Sequence, residues 1–188
     1  MPSADQKTPP AGTISTLDSR TVYRNRWMTV REDRILRANG EEGIYGVVEK
    51  KRGVTVAAVE NGQTYLVEQY RYAVGARFWE FPQGTWEHAD VDGATLAAAE
   101  LREETGLEAR SLLHLGQLFY AYGYSTQAYD VFLATDLSQH PPQREAEESD
   151  MICRAFPLAE VEAMILDGTI KDAHTVAVFG LLRMRGLI

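Results

Sequence analysis

Three glutamates, Glu100, Glu103 and Glu104, fall within one turn of an Ala-rich segment, and no other feature constrains the chain as strongly. They belong to the stretch GTWEHADVDGATLAAAELREETGL, residues 84 to 107, which opens on Gly84 and ends on Gly106-Leu107. On an α-helix, spacings of three and four put side chains on one face, where like charges repel. A helix keeps such a cluster if the face is well solvated or if a divalent cation neutralises it. Oxygen ligands of this kind suit magnesium, manganese or calcium. Charge runs commonly mark a solvated face, and ELREETG by itself fits that description. The pattern predicts a helix over Ala94 to Glu104, capped by Asp92 or Thr95 and ended by Gly106 in a left-handed conformation. Leu96, Ala97 and Leu101 would be buried, with the glutamates facing a cleft.

The rest of the chain supplies strands for that helix to pack on. Thr21-Val22-Tyr23, Trp27 to Arg31 and Ile44 to Val48 are β-rich, with a turn at Ala38-Asn39-Gly40. Three strands alone make a thin sheet with exposed edges, which needs the remaining chain or a second copy to pack on. Trp27 and Tyr45 are expected either in a core or stacked on a nucleobase, core being the better reading of the residues alone. Val54 to Val59 is nearly unbroken in apolar character, as in a buried strand. Asn61-Gly62 signals a hairpin, and Thr64 to Arg71 returns as TYLVEQYR. Arg71 suits either a surface ion pair or a planar fork for phosphate.

Beyond the helix, Ser111 to Tyr120 and Ala128 to Thr135 read as strands around a tyrosine-rich loop, Ala121 to Gln127. That loop is either a packed turn or a lip for a sugar or base. Residues 136 to 150, DLSQHPPQREAEESD, read as a mobile acidic loop. A last strand covers Met151 to Phe156. Pro157 starts a helix over Leu158 to Asp167, and Asp172 caps another from Ala173 to about Arg185. The four histidines show no zinc-ligand spacing.

Composition narrows the function. The 188 residues are 45% hydrophobic and 24% charged, ordinary for a globular protein with one good core and an appendage. The start, MPSADQKTPPAGT, has no apolar segment and reads as a flexible polar tail, residues 1 to 18. No run is long enough to span a bilayer. A single cysteine, Cys153, excludes an intrachain disulfide, so cytoplasmic residence is expected. The net charge of −8 is unsuited to a nucleic-acid backbone. An anionic small molecule would need metal ions to bridge it to the carboxylates.

Glu80-Phe81-Pro82-Gln83-Gly84 followed by ELREETGL resembles the Nudix box. Gly84 matches its opening glycine, and Glu100, Leu101, Glu103, Glu104, Gly106 and Leu107 match its closing half. Two positions depart from it. Ala99 stands where the family has Arg, and the loop through Asp90 is one residue longer. The leading strands, QYRY at Gln69 to Tyr72 and TIKDAHT at Thr169 to Thr175 are similar to the ADP-ribose pyrophosphatase branch.

The resemblance implies an α+β chain: a Nudix fold, an α/β/α sandwich with a mixed sheet, over 53 to 188, and an N-terminal antiparallel β-sheet region over 19 to 52 that dimerises. It implies metal-dependent hydrolysis of a nucleoside diphosphate sugar, ADP-ribose or similar, to a nucleoside monophosphate and a sugar phosphate, with Mg2+ or Mn2+. Glu100, Glu103 and Glu104 would hold the metal, with a main-chain carbonyl near Gln83 or Gly84, and Glu80 would be a ligand or an ion-pair partner. Glu148, or else Glu147, would be the general base on a closing loop, and Arg71 would hold a phosphate. Trp27 and Tyr45 would contribute to the base pocket of a homodimer. Neither nucleic acid nor membrane is an expected partner. The alternative is a Nudix-fold binding or regulatory module with little catalysis.

Overall fold

An apolar run such as Val54 to Val59 can be satisfied only with cover on both faces. In the computed structural model, which describes residues 13–86, 91–141 and 150–188, it lies inside the central strand of a mixed sheet. The chain divides into two units, one of residues up to Lys51 with 121–127, the other of Arg52–Tyr120 and Ala128–Ile188.

The first unit holds β1 (Ser15–Arg24), β2 (Met28–Leu36) and β3 (Glu42–Lys50) in an antiparallel sheet of that order. Ser15 already pairs with Leu36, so strand begins inside the segment expected as a tail; residues 1–12 lie outside the described residues. Gly40 turns the chain at φ +83°, a value that favours glycine. Segment 121–127 joins β3: Val48 N–H donates to the Tyr124 carbonyl at 2.7 Å, and Thr126 N–H to that of Val48 at 3.0 Å. The Tyr45 hydroxyl donates to the Gly123 carbonyl. The core reading of Trp27 and Tyr45 is overturned: they are 57% and 37% exposed. Trp27 sits at the β1–β2 turn, with the Arg26 guanidinium 4.1 Å from its ring centroid.

The second unit runs β4 (Gly53–Glu60), β5 (Gln63–Arg71), a 3-10 turn (Tyr72–Val74), β6 (Ala76–Glu80), β7 (Gln83–Thr85), α1 (Gly93–Thr105), β8 (Leu107–Phe119), β9 (Ala128–Gln139), β10 (Ile152–Pro157), α2 (Leu158–Leu166) and α3 (Ala173–Met184). The sheet order is β10-β5-β4-β9-β8, with β6 on β5 and β7 on β4; β4 and β9 are parallel and the other pairs antiparallel. Asn61 and Gly62 both have positive φ, as a tight hairpin turn of this twist requires.

Strand alternation sorts two cores. Val54, Val56 and Ala58 of β4 pack with Phe132 and Ala134 of β9 and with Ala97 and Leu101 of α1. Ala57, Val131 and Leu133 face the other way, onto Val161 and Met164 of α2 and Val178, Phe179 and Leu182 of α3. The sheet is thus sandwiched, α1 on one face and α2 with α3 on the other. Asp92 caps α1 by accepting from the N–H groups of Ala94 and Thr95, and Gly106 ends it at φ +76°.

The boundaries of β8 and β9 differ from expectation too, with β8 beginning at Leu107 rather than Ser111. The segment from Asp136 begins as strand rather than loop, because β8 starts directly after α1 and offers backbone partners as far as Leu107 opposite Gln139.

Leu101 is fully buried on α1 and Asp92 is exposed at its cap. Leu101→Ala should cost about 2–5 kcal/mol, and Asp92→Ala about 1 kcal/mol, measured by denaturant unfolding. Equal costs would contradict the packing described.

Candidate active site

The site is built on a short strap, Glu80 to Gly84, that leaves β6 and enters β7. Alternation on β5 puts Val67, Gln69 and Arg71 on one side, and Glu80 of β6 lies opposite Val67. Glu80 is only 2% exposed. Its carboxylate accepts from Gln69 Nε2 at 2.9 Å, from Arg71 Nε at 3.1 Å and from Arg71 Nη2. Burial pushes the Glu80 carboxyl above its usual range, against the pull of Arg71. Burial also penalises the Arg71 guanidinium, but the charge and hydrogen bonds of Glu80 hold it above its ordinary value. Arg71 is thus ion-paired with Glu80 on one edge and still 41% exposed.

The following residues of the strap meet three elements, α3, β4 and α1. Phe81 N–H donates to Thr175 Oγ1 of α3 at 3.0 Å. The Pro82 carbonyl accepts from Val56 N–H at 2.9 Å. Gln83 N–H donates to Glu104 Oε2 at 3.3 Å. At Gly84 a Cβ would lie 1.8 Å from Glu100 Oε1, so a bare backbone is what lets that carboxylate settle there.

Glu100 and Glu103 are half-buried, as a cleft position requires, but Glu104 is completely buried, which corrects the expectation that all three face a cleft. Ala97, Leu101 and Glu104 succeed one another at spacings of four and three, so the stripe that packs α1 on the sheet carries Glu104 inward with it.

The donors are all oxygen, and Glu100 and Glu104 converge on adjacent residues of one strap, which fits a hard divalent cation. Among the described residues no three carboxylate, imidazole or thiol side chains converge on one point. An ion here would complete its shell from main chain, water or a bound phosphate.

Beside the strap lies a cleft of about 480 Å³. Arg71 and Glu80 line one part of it, Ala73, Val74 and Phe78 an apolar part, and Tyr120, Lys171 and Asp172 a polar part. Asp172 is the N-cap of α3; its Oδ2 accepts from the Thr175 N–H at 2.8 Å and hydroxyl at 2.7 Å. The Tyr120 hydroxyl donates to Asp172 Oδ1 at 3.1 Å. Burial pushes the Tyr120 phenol up, with Asp172 adding to the shift, and pushes Tyr129 up to about 12. Both phenols therefore remain neutral donors. His174 stacks on Tyr120, ring centroids 5.1 Å apart at 17°, and is buried with no hydrogen-bond partner for Nε2 among the described residues. Burial lowers its pKa against the opposing charge of Asp172.

The structure thus joins Arg71 with Glu80, Glu104 with Gln83 and Glu100 with Gly84. Trp27 and Tyr45 belong to the other unit. Glu147, Glu148 and Asp90 lie outside the described residues. Tyr120, Lys171 and Thr175 were not singled out as site residues, and Asp172 only as a cap. Lys171, Asp172 and Thr175 belong to the TIKDAHT segment, whose spacing says nothing about which strap it would meet, and Tyr120 lies elsewhere, just after β8.

The sequence model of the NUDIX domain family matches residues 49–179. The chain belongs to the Nudix family. A second model, of the nucleoside diphosphate sugar hydrolase N-terminal domain, matches residues 14–48 ahead of the Nudix domain. An ADP-ribose pyrophosphatase of Mycobacterium tuberculosis (strain ATCC 25618 / H37Rv) is 33% identical over 176 residues, 93% of this chain and 84% of that protein. An ADP-ribose pyrophosphatase of Bacillus subtilis (strain 168) is 24% identical over 90% of this chain and 92% of its own length. The Nudix fold is seen again in a crystal structure of an ADP compounds hydrolase, with a TM-score of 0.83 and 22% identity, covering 94% of this chain and 96% of that one. Nudix hydrolases generally use divalent metal ions.

Two outcomes test this geometry. In Gly84→Ala the atoms in the way are the far end of a flexible side chain, so the fold should survive while Glu100 is displaced. The melting temperature should stay near that of the parent, and the metal concentration for half-maximal effect should rise. Because burial lowers the His174 pKa, the unfolded chain binds the proton more readily. That contribution to stability is complete above the ordinary histidine value of about 6.5 and is lost as pH falls below it. Unfolding measured at several pH values should show a shallower acid decline in His174→Phe than in the parent.

Proposed function

We propose that this Nudix enzyme hydrolyses the pyrophosphate bond of a nucleoside diphosphate sugar, ADP-ribose or a similar compound. The observation that carries the reading is the strap. It sets a phosphate-matched guanidinium, Arg71, beside the carboxylate helix of the Nudix box, with Glu80 holding the guanidinium in place. The named activity of the 33% identical relative supports the same substrate class.

In this reaction water attacks one phosphorus, the bond from it to the bridging oxygen breaks, and two phosphomonoesters leave: a nucleoside monophosphate and a sugar phosphate. Arg71 holds a phosphate through the edge it does not give to Glu80. Glu100 and Glu104, which meet the strap, would hold the Mg2+ or Mn2+, and Glu103 of the same helix would close on the ion only once it is bound, with main chain, water or phosphate completing the shell. When bound, such an ion would supply neutralisation of the pyrophosphate charge and a water of lowered pKa. Glu148, or its neighbour Glu147, takes the proton of the attacking water. Glu80 orients Arg71. Trp27 and Tyr45 serve the base, in a homodimer built through residues 19–52; the exposed Val22, Tyr23 and Ile44 of that sheet favour such a partner. The enzyme works in the cytoplasm; no helix among the described residues is long and apolar enough to cross a membrane.

A second reading, a binding module with weak catalysis, is favoured by Ala99. Arg102 does not stand in for the missing Arg, since its Nε donates to Glu108 Oε1 at 2.8 Å.

The test is a panel of nucleoside diphosphate sugars with Mg2+ or Mn2+ and identification of both products. Turnover is expected for at least one sugar, and Glu103→Gln should lower kcat/KM by about a hundredfold or more, the scale of several kcal/mol of charge stabilisation. No turnover on the panel, with saturable binding by calorimetry, would establish the module instead.

A further inference from the structure

The cleft beside Arg71 has a composition that the hydrolytic reading leaves unused, and we infer that it is the subsite for the sugar of the leaving sugar phosphate, with Lys171 as its principal donor. This inference rests on the proposed hydrolysis and adds to it which part of the substrate goes where.

Charge comes first. Four ionisable groups other than tyrosine line the cleft: Arg71, Glu80, Lys171 and Asp172. Glu80 is engaged by Arg71 and Gln69. Asp172 accepts three hydrogen bonds, two of them at the N-terminus of α3, where a carboxylate is favoured. The cations and anions balance, so beyond the phosphate edge of Arg71 the cleft has no net demand for an anion. What it offers is hydrogen bonding. Lys171 makes no salt bridge among the described residues; its Nζ lies 5.7 Å from the centroid of the Phe78 ring. An ammonium has three donors. Asp172, which lines the cleft, has acceptor capacity left beyond its three bonds.

Shape agrees. About 480 Å³ exceeds what one sugar ring needs, and Ala73 and Val74 present an apolar surface for its C–H face. A purine or pyrimidine is a poorer occupant. The aromatic carbon surface in this cleft besides Tyr120 is Phe78, and the Lys171 ammonium is already over its ring. The Tyr120 ring in turn is stacked on His174. A base stacking here would compete with Lys171 for Phe78 and would find one face of Tyr120 already taken by His174. A polyhydroxylated ring, bonded by Lys171 and Asp172 with its phosphate on Arg71, displaces neither.

The experiment compares ribose 5-phosphate with inorganic phosphate by calorimetry on the full chain, without turnover. The parent should bind ribose 5-phosphate about tenfold or more tightly than phosphate. Lys171→Met keeps the stem and removes the donors; it should abolish most of that gap while leaving phosphate affinity within about twofold, and Lys171→Arg should restore part of it. In hydrolysis of ADP-ribose the same Lys171→Met change should raise KM more than it lowers kcat. No gap in the parent, a gap that survives in Lys171→Met, or equal weakening of both ligands would overturn the assignment. The last result would make Lys171 a phosphate cation instead. Because binding is read without catalysis, a protein that shows the gap but hydrolyses no nucleoside diphosphate sugar would refute the proposed reaction and not the subsite.

Discussion

A carboxylate taken almost entirely out of water is costly unless it is paired and hydrogen-bonded. Glu80 is in that position, and the arrangement that satisfies it orders much of the site. Two side chains from one face of β5, Gln69 and Arg71, must both reach it, which ties the end of β5 to the end of β6. Arg71 can then present a cation at the cleft without being free to swing, because two of its nitrogens are committed. The strain of burial and the rigidity of the fork come from the same contact.

From that anchor the strap runs between the two halves of the sandwich. Thr175 holds it from the α3 side of the sheet, and Glu104 and Glu100 meet it from the α1 side. The central strand β4 supplies the hydrogen bond to Pro82 between them. Carboxylates from one layer and the cleft wall of the other are thereby referred to one short piece of main chain. Functional positioning of this kind is more precise on regular elements than on loops.

Much of this was legible in residues. The helix of the box, its Asp92 cap and its Gly106 end follow from local rules, as do the buried β4 run and the Asn61-Gly62 hairpin. Glu104 was legible as a carboxylate but not as a buried one. The periodicity that places Ala97 and Leu101 inside reaches Glu104 as well, although its charge alone would favour the surface. Trp27 escapes the burial that its size and apolarity favour, because its place at the tip of a strand turn leaves little to cover it. The partnership of Thr175 with Phe81, and the gathering of Tyr120, Lys171 and Asp172 into a cleft wall, depend on how distant segments pack. No local propensity encodes them.

The Thr175 contact also bears on how the molecule is made. Phe81 and Thr175 are 94 residues apart in sequence, so their hydrogen bond closes one of the longest loops in the domain. Contacts of such separation reward the chain only after most of its entropy is lost, and they tend to form late. A chain emerging from the ribosome can form α1 and the hairpin of β4 and β5 well before α3 exists. In that interval the carboxylate helix is present but the strap it faces is held from one side only. The arrangement around the strap is thus complete only once α3 has been made.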